Sequence, residues 1–308
     1  MAQRTLNAPV VCSGVGLHSG KPVRMRLLPG ELNSGIVFVR ADLAQHRAVI
    51  PALWDRVSDT TLCTVIDNSK GASVATVEHL MAALRGCGVD NAVIELDAVE
   101  VPAMDGSADP FVRLIDGVGT VAQPGSRRAI RVLRPISVGN EARGASLSPA
   151  IGSSFSMELD FPGQSMARQE GTVRLDAEAF REEVARARTF GFLAEVDELR
   201  RRGFALGGTL DNAIVMDGRR VLNDDGLRYE DELVRHKLLD AIGDLYLAGM
   251  PIIGHFHGWR SGHAVNNALL RALFEDDTAW VFDTPLAPTD WMAGYRSGLQ
   301  AGGHLRFA

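Results

Sequence analysis

His236 and Asp240 stand four residues apart in Arg235-His236-Lys237-Leu238-Leu239-Asp240. A helix stacks positions i and i+4 on one face, so an imidazole and a carboxylate there can grip one cation. A third candidate ligand, His79, lies far upstream in Thr76-Val77-Glu78-His79-Leu80, next to the carboxylate of Glu78. Three N and O ligands with a free position describe a catalytic zinc, and a carboxylate beside them describes a general base. Taken singly, the same residues are ordinary satisfied groups on helices, and spacing alone does not bring Glu78-His79 to the second helix. There is no His-Glu-x-x-His, which disfavours the ordinary zinc proteases.

Other residues offer supporting chemistry, each with a plainer alternative. Lys237 points about 100° away from His236, as an anion holder, a carbonyl polariser or a solvated lysine. Asp244 lies two turns past His236 on the same face, where it can orient a ligand or a second histidine. His263, in Ser261-Gly262-His263-Ala264, is expected in a flexible turn. There it can protonate a leaving amine, with Asp244 keeping it charged. Arg186-Ala187-Arg188-Thr189-Phe190-Gly191-Phe192 puts basic, hydroxyl and aromatic groups at a predicted helix end. Thr189 can donate to an oxyanion and Phe190 and Phe192 can flank an acyl chain, or the segment is a helix C-terminus with cations near its dipole. Gly14-Val15-Gly16-Leu17 lacks a third glycine and reads as a turn, and no phosphate-binding P-loop is present.

The elements that must position these residues form an α+β pattern. Strands are expected at 23–28, 35–40, 91–96, 129–133, 154–161, 210–216 and 252–257. Helices are expected at 76–85 with Thr76 as N-cap, and at 108–116, 176–188, 195–202, 231–247 and 269–274. Thr120 to Arg128, with Pro124-Gly125-Ser126, reads as a linker. It divides the chain into residues 1–124, carrying Glu78 and His79, and 125–308, carrying His236, Asp240 and His263. In each part a histidine-bearing helix runs through a glycine, Gly88 or Gly249, into an apolar strand. That suggests two similar α+β layers facing each other with the metal at the seam.

Composition narrows the classes. The 308 residues suffice for two domains and a large core. Hydrophobic content of 46% and charged content of 23% are those of a soluble globular protein. A net charge of -6 speaks against nucleic acid as a partner. No signal-peptide core and no apolar run of about 18 residues is found, so no membrane insertion is expected. Cys12, Cys63 and Cys87 form no Cys-x-x-Cys, which fits reduced thiols in a cytoplasm.

Longer stretches carry a family likeness. They are Arg4-Thr5-Leu6, Gly14-Val15-Gly16-Leu17-His18-Ser19-Gly20, Thr76 to Leu84, Gly88-Val89-Asp90-Asn91 and Pro102-Ala103-Met104-Asp105-Gly106-Ser107. Further on come Ala187 to Phe192, Val221 to Arg228, Arg235 to Asp244, and Ser261-Gly262-His263-Ala264-Val265-Asn266-Asn267. In order, from residue 3 to about 275, the chain resembles the zinc-dependent UDP-3-O-acyl-N-acetylglucosamine deacetylases of Gram-negative bacteria. The resemblance implies hydrolysis of the 2-acetamido group of a UDP-glucosamine that carries a 3-hydroxyacyl chain, the committed step of lipid A synthesis.

It further implies Zn2+ on His79, His236 and Asp240, with Glu78 as general base and His263 as general acid or electrostatic stabiliser. Thr189 would contact the oxyanion, Lys237 and Asp244 would support the site, and Phe190 and Phe192 would border an acyl passage in a segment inserted near 189–216. The implied fold is two layered β-α-α-β sandwich domains with the site at their junction, in a cytoplasmic monomer. Val265 stands where the family often has leucine. The segment 162–170 and the residues from about Asp276 onward match poorly, leaving uridine contacts unassigned. A zinc amidase for another N-acyl substrate and a non-catalytic nucleotide-sugar or acyl-chain binding protein are the competing readings.

Overall fold

The computed structural model of the protein describes residues 1–160 and 168–283. Phe161 and the tail from residue 284, both considered above, lie outside the described residues, as does most of the divergent segment 162–170.

Strict alternation builds the first sheet. In Pro22–Pro29 every second residue, Val23, Met25 and Leu27, is buried, as a strand covered on one face requires. This strand pairs antiparallel with Val10–Val15 and with Ala92–Leu96. Ala92–Leu96 runs parallel to Ile36–Arg40, which pairs antiparallel with Val49–Pro51.

The same pairing order recurs downstream. Ile136–Gly139 and Gly144–Ser148 form an antiparallel pair, and Gly144–Ser148 is antiparallel to Ile252–Trp259. Ile252–Trp259 runs parallel to Ser153–Leu159, which pairs antiparallel with Gln169–Arg174. Ile130–Val132 and Trp280–Phe282 extend this second sheet.

In each half a helix precedes the central strand, and glycine makes the exit. Glu78–Gly86 leaves through Gly88 at φ +70, and Glu232–Tyr246 leaves through Gly249 at φ +84, a region open to glycine at no steric cost. A second helix follows each central strand, Asp109–Val118 and His263–Glu275. The mixed arrangement accords with the expected α+β class.

The two histidine-bearing helices are buried on nearly every face because they cross each other. A Cβ on Gly243 would lie 2.0 Å from the Glu78 carbonyl oxygen. The absent side chain therefore lets the two backbones touch and brings Glu78-His79 onto His236 and Asp240. One contiguous apolar cluster, from Leu6 to Ala279, surrounds the crossing.

Four local expectations are corrected. Thr120 to Arg128 is no free linker: Thr120–Ser126 pairs antiparallel with Ala2–Leu6, and Pro124 and Gly125 fall where the register shifts. A bulge tolerates a proline that a regular ladder would not. Thr76 is not an N-cap; it sits at φ +58, and its hydroxyl donates to Glu100. The helix expected at 176–188 starts as predicted, capped by Asp176, but turns into a π segment at Phe180–Val184 and ends. There the Phe180 ring fills the space over Gly86, and Arg188 leaves the axis for an internal partner. The last helix begins at His263, well before Leu269.

Candidate active site

His79, His236 and Asp240 each present one ligand atom, all within 4.8 Å of one another, and all three residues are buried. Asp240 Oδ1 lies 3.4 Å from His236 Nε2 and 3.6 Å from His79 Nε2. Those separations are too long for good hydrogen bonds. Asp240 Oδ1 is indeed a buried oxygen with no hydrogen-bond partner. An orphaned anionic oxygen facing two imidazole nitrogens is costly unless a cation sits among them, and the N and O donor set suits a borderline divalent metal.

The surroundings suit these three groups to a metal. His236 Nδ1 donates to the Ala187 carbonyl at 3.1 Å, which leaves Nε2 free to ligate. Burial pulls the His236 pKa down to about 3, so the ring is neutral as a metal requires. Burial alone would raise Asp240, but His236 and Lys237 outweigh it and hold the carboxylate well below its ordinary range. Lys237 Nζ donates to Asp240 Oδ2 at 2.6 Å, so Lys237 is no solvated lysine.

Glu78 and His263 face each other beside this cluster, with 3.7 Å between Glu78 Oε1 and His263 Nε2. Glu78 Oε2 accepts from the Thr64 amide. Burial pushes the Glu78 pKa up, against the pull of His263 and His79, which moves a carboxylate toward basicity. His263 is not in a flexible turn: it is the first residue of its helix, largely buried, with Nδ1 2.9 Å from Asp244 Oδ2. Asp244 also accepts from Asn266 Nδ2 at 2.9 Å and from the Thr64 hydroxyl at 2.6 Å. Burial would lower His263, yet Asp244 and Glu78 prevail and raise it to about 9.

These groups line one cleft of about 380 Å³, with Thr189 and Phe190 on one wall and Arg260 and Asp160 on another. The Thr189 backbone is fixed on both sides, its amide on Gly106 O and its carbonyl on the Ile214 amide, both at 2.8 Å. The Phe190 ring meets His236 edge-on at 6.1 Å and Phe192 at 6.4 Å. Phe192 is buried and does not line the cleft.

Arg188 is no helix-end cation. It is 2% exposed and reaches Glu232 through Nε at 2.9 Å and Nη2 at 3.2 Å. This clamp ties the Thr189–Phe190 wall to the start of the helix that bears His236.

Several residues of the site were not singled out from the sequence. His18 lines the cleft, and its loop is held by Glu100, which accepts from the His18 and Ser19 amides at 2.8 Å. His18 lay within a quoted motif, but as a turn residue it gave no signal of its own. Thr64, Glu100, Asn266 and the Ala187 carbonyl act across long sequence separations, and no local pattern marks them.

Comparison with known proteins places this geometry. Residues 3–275 match the family model described as UDP-3-O-acyl N-acetylglycosamine deacetylase. A UDP-3-O-acyl-N-acetylglucosamine deacetylase of Shewanella sp. (strain W3-18-1) is 48% identical over 280 residues, covering 90% of this chain and 91% of the relative. The protein of the same name from Shewanella oneidensis is 47% identical with the same coverage. A match across nearly the whole chain, with the buried His79, His236 and Asp240 group inside it, settles the affiliation: this chain belongs to the UDP-3-O-acyl N-acetylglycosamine deacetylase family.

Proposed function

We propose that the protein hydrolyses the 2-acetamido group of UDP-3-O-[(3R)-3-hydroxyacyl]-N-acetylglucosamine to the free amine and acetate, the committed step of lipid A synthesis. The observation that carries the chemistry is the orphaned Asp240 Oδ1 between two imidazole nitrogens, with Glu78 and His263 alongside.

His79, His236 and Asp240 would hold Zn2+, for which imidazole nitrogen and carboxylate oxygen are usual donors. When bound, the ion polarises the amide carbonyl and makes water more acidic. Glu78 takes the proton of the attacking water. Thr189 donates to the oxyanion, where an aligned donor is worth the most. His263 protonates the departing sugar amine, held charged and in place by Asp244. Lys237 offsets the charge of Asp240 and faces the substrate. Phe190 borders the acyl passage at the cleft, and Phe192 supports it from behind, within the segment 189–216.

The partner is a small molecule, not nucleic acid. Among the described residues no helix is long and apolar enough to cross a membrane. The protein works as a cytoplasmic monomer without stable membrane insertion. The two recurring sheets correspond to two α+β units that divide near residue 124. Acetate release from the acylated UDP-sugar and from its unacylated form separates this function from that of a general amidase. Strong preference for the acylated form is expected, and equal turnover of both would contradict it.

A further inference from the structure

Residues 16–20 form a loop that leans on residues 204–207, far along the chain. The Leu206 amide donates to the His18 carbonyl at 3.2 Å, and the Gly207 amide donates to the Leu17 carbonyl at 3.0 Å. The Ala205 amide donates to His18 Nδ1 at 3.4 Å. The Phe204 ring meets His18 edge-on at 5.6 Å. A Cβ on Gly207 would lie 2.3 Å from the Gly16 carbonyl oxygen, so the missing side chain lets the two backbones approach.

On its other side the loop closes around one buried carboxylate. Glu100 is 1% exposed. Its Oε1 accepts from the His18 amide at 2.8 Å and from the Thr76 hydroxyl at 2.9 Å, and its Oε2 accepts from the Ser19 amide at 2.8 Å. A buried carboxylate is tolerated when it is paired in this way. A Cβ on Gly16 would lie 2.3 Å from Oε2, so the loop wraps that oxygen only with glycine there. The Glu100 backbone is fixed as well. The Ala75 amide donates to the Val99 carbonyl at 2.9 Å, and the Val101 amide donates to the Ala75 carbonyl at 3.1 Å. Thr76 stands two residues before Glu78, and Leu17, His18, Thr76 and Glu78 all line the cleft. One carboxylate thus reaches both the start of the base-bearing helix and, through the loop, residues 204–207.

We propose that Glu100 is a positioning residue that sets where residues 204–207 stand relative to Glu78, and so couples recognition of the acyl chain to placement of the reacting amide. This rests on the deacetylase function proposed above, in which segment 189–216 forms the acyl passage. The acyl chain and the acetamido group sit on neighbouring carbons of one sugar. A displaced passage therefore carries the amide away from Glu78, and a misplacement of about 1 Å can cost about 10²-fold in rate. The task calls for a carboxylate. Glutamine keeps one acceptor oxygen for His18 and Thr76 but turns an N–H onto the Ser19 amide, and two facing donors repel.

The test is acetate release by the full-length, metal-loaded enzyme from the acylated UDP-sugar and from its unacylated form. The readout is the ratio of the two kcat/KM values. Glu100→Gln should lower this ratio by at least about tenfold, the scale of a lost hydrogen bond to a charged group, with one equivalent of metal retained. Gly207→Ala cuts the same link at its far end, away from Glu100, and should lower the ratio in the same direction. A merely structural role would depress both substrates in parallel. An unchanged ratio in either variant, with parallel losses or none, would overturn the proposal. Equal turnover of both substrates by the parent enzyme would overturn the function itself, and the proposal with it.

Discussion

Asp244 Oδ2 lies 2.9 Å from His263 Nδ1, and Asp244 stands one turn beyond Asp240 on the same helix. His236, Asp240 and Asp244 thus repeat every four residues along one stripe. In the proposed mechanism the first two hold the metal and the third holds the proton donor. A single helix therefore fixes the distance between the electrophilic and acidic ends of the site.

The pairing predicts a pH profile. His263 is raised to about 9, and a proton donor acts only while protonated. Activity should persist below about pH 9 and fall as pH rises through it. Asp244→Asn should move that limb to lower pH, and His263→Gln should flatten it. kcat/KM measured across pH checks both, and an unaltered basic limb in His263→Gln would assign the proton to another group. The fold should show the same linkage. A folded pKa above the ordinary 6.5 stabilises fully below 6.5, and the contribution is lost as pH rises through 9. Thermal melts of Asp244→Asn should lose pH dependence in that window.

Glu78→Ala should retain the metal and lose about 10²- to 10⁴-fold in kcat, the usual contribution of a general base. Metal analysis and turnover of the same sample decide it. Near parental turnover would remove Glu78 from the reaction.

Asp240→Ala should lose stoichiometric metal. It also strips Lys237 of its partner at 2.6 Å in a largely buried setting, which costs about 3–5 kcal/mol when a buried pair is broken. Both metal content and melting temperature should fall. One tightly held metal in this variant would sink the ligand assignment.

Gly243→Ala should act at a distance from the reacting groups. The added Cβ meets the Glu78 carbonyl at 2.0 Å, so the crossing helices must separate. Overpacking of this kind costs about 1–3 kcal/mol. Weaker metal binding is expected with the lower melting temperature, because His79 rides on the displaced helix. A variant that melts lower yet binds metal as before would show that the crossing does not set the ligand distance.

Much of the site was legible because it is periodic. The stripe of His236, Asp240 and Asp244 follows from helical spacing, and the alternation of Val23, Met25 and Leu27 marks its strand. What spacing could not supply was the meeting of His79 with that stripe. The meeting depends on Gly243, whose missing side chain has no local signature. Only the family likeness implies that His79 joins His236 and Asp240. The clamp between Arg188 and Glu232 leaves no local trace because the two residues lie 44 positions apart, so its segment reads equally as a helix C-terminus with cations near the dipole. Thr76 has the residue type of a cap, but it sits at φ +58 with its hydroxyl donated to Glu100, a partner 24 residues away that no local pattern marks. The stretch around Pro124 has the proline and glycine of a linker, yet pairing with the N-terminal strand absorbs them in a bulge.

The most direct test of the central claim is add-back of metal to enzyme dialysed against a chelator, with acetate release from the acylated UDP-sugar as readout. Activity should vanish with the metal and return on addition of one equivalent of Zn2+. Full turnover by the metal-free enzyme would contradict the account.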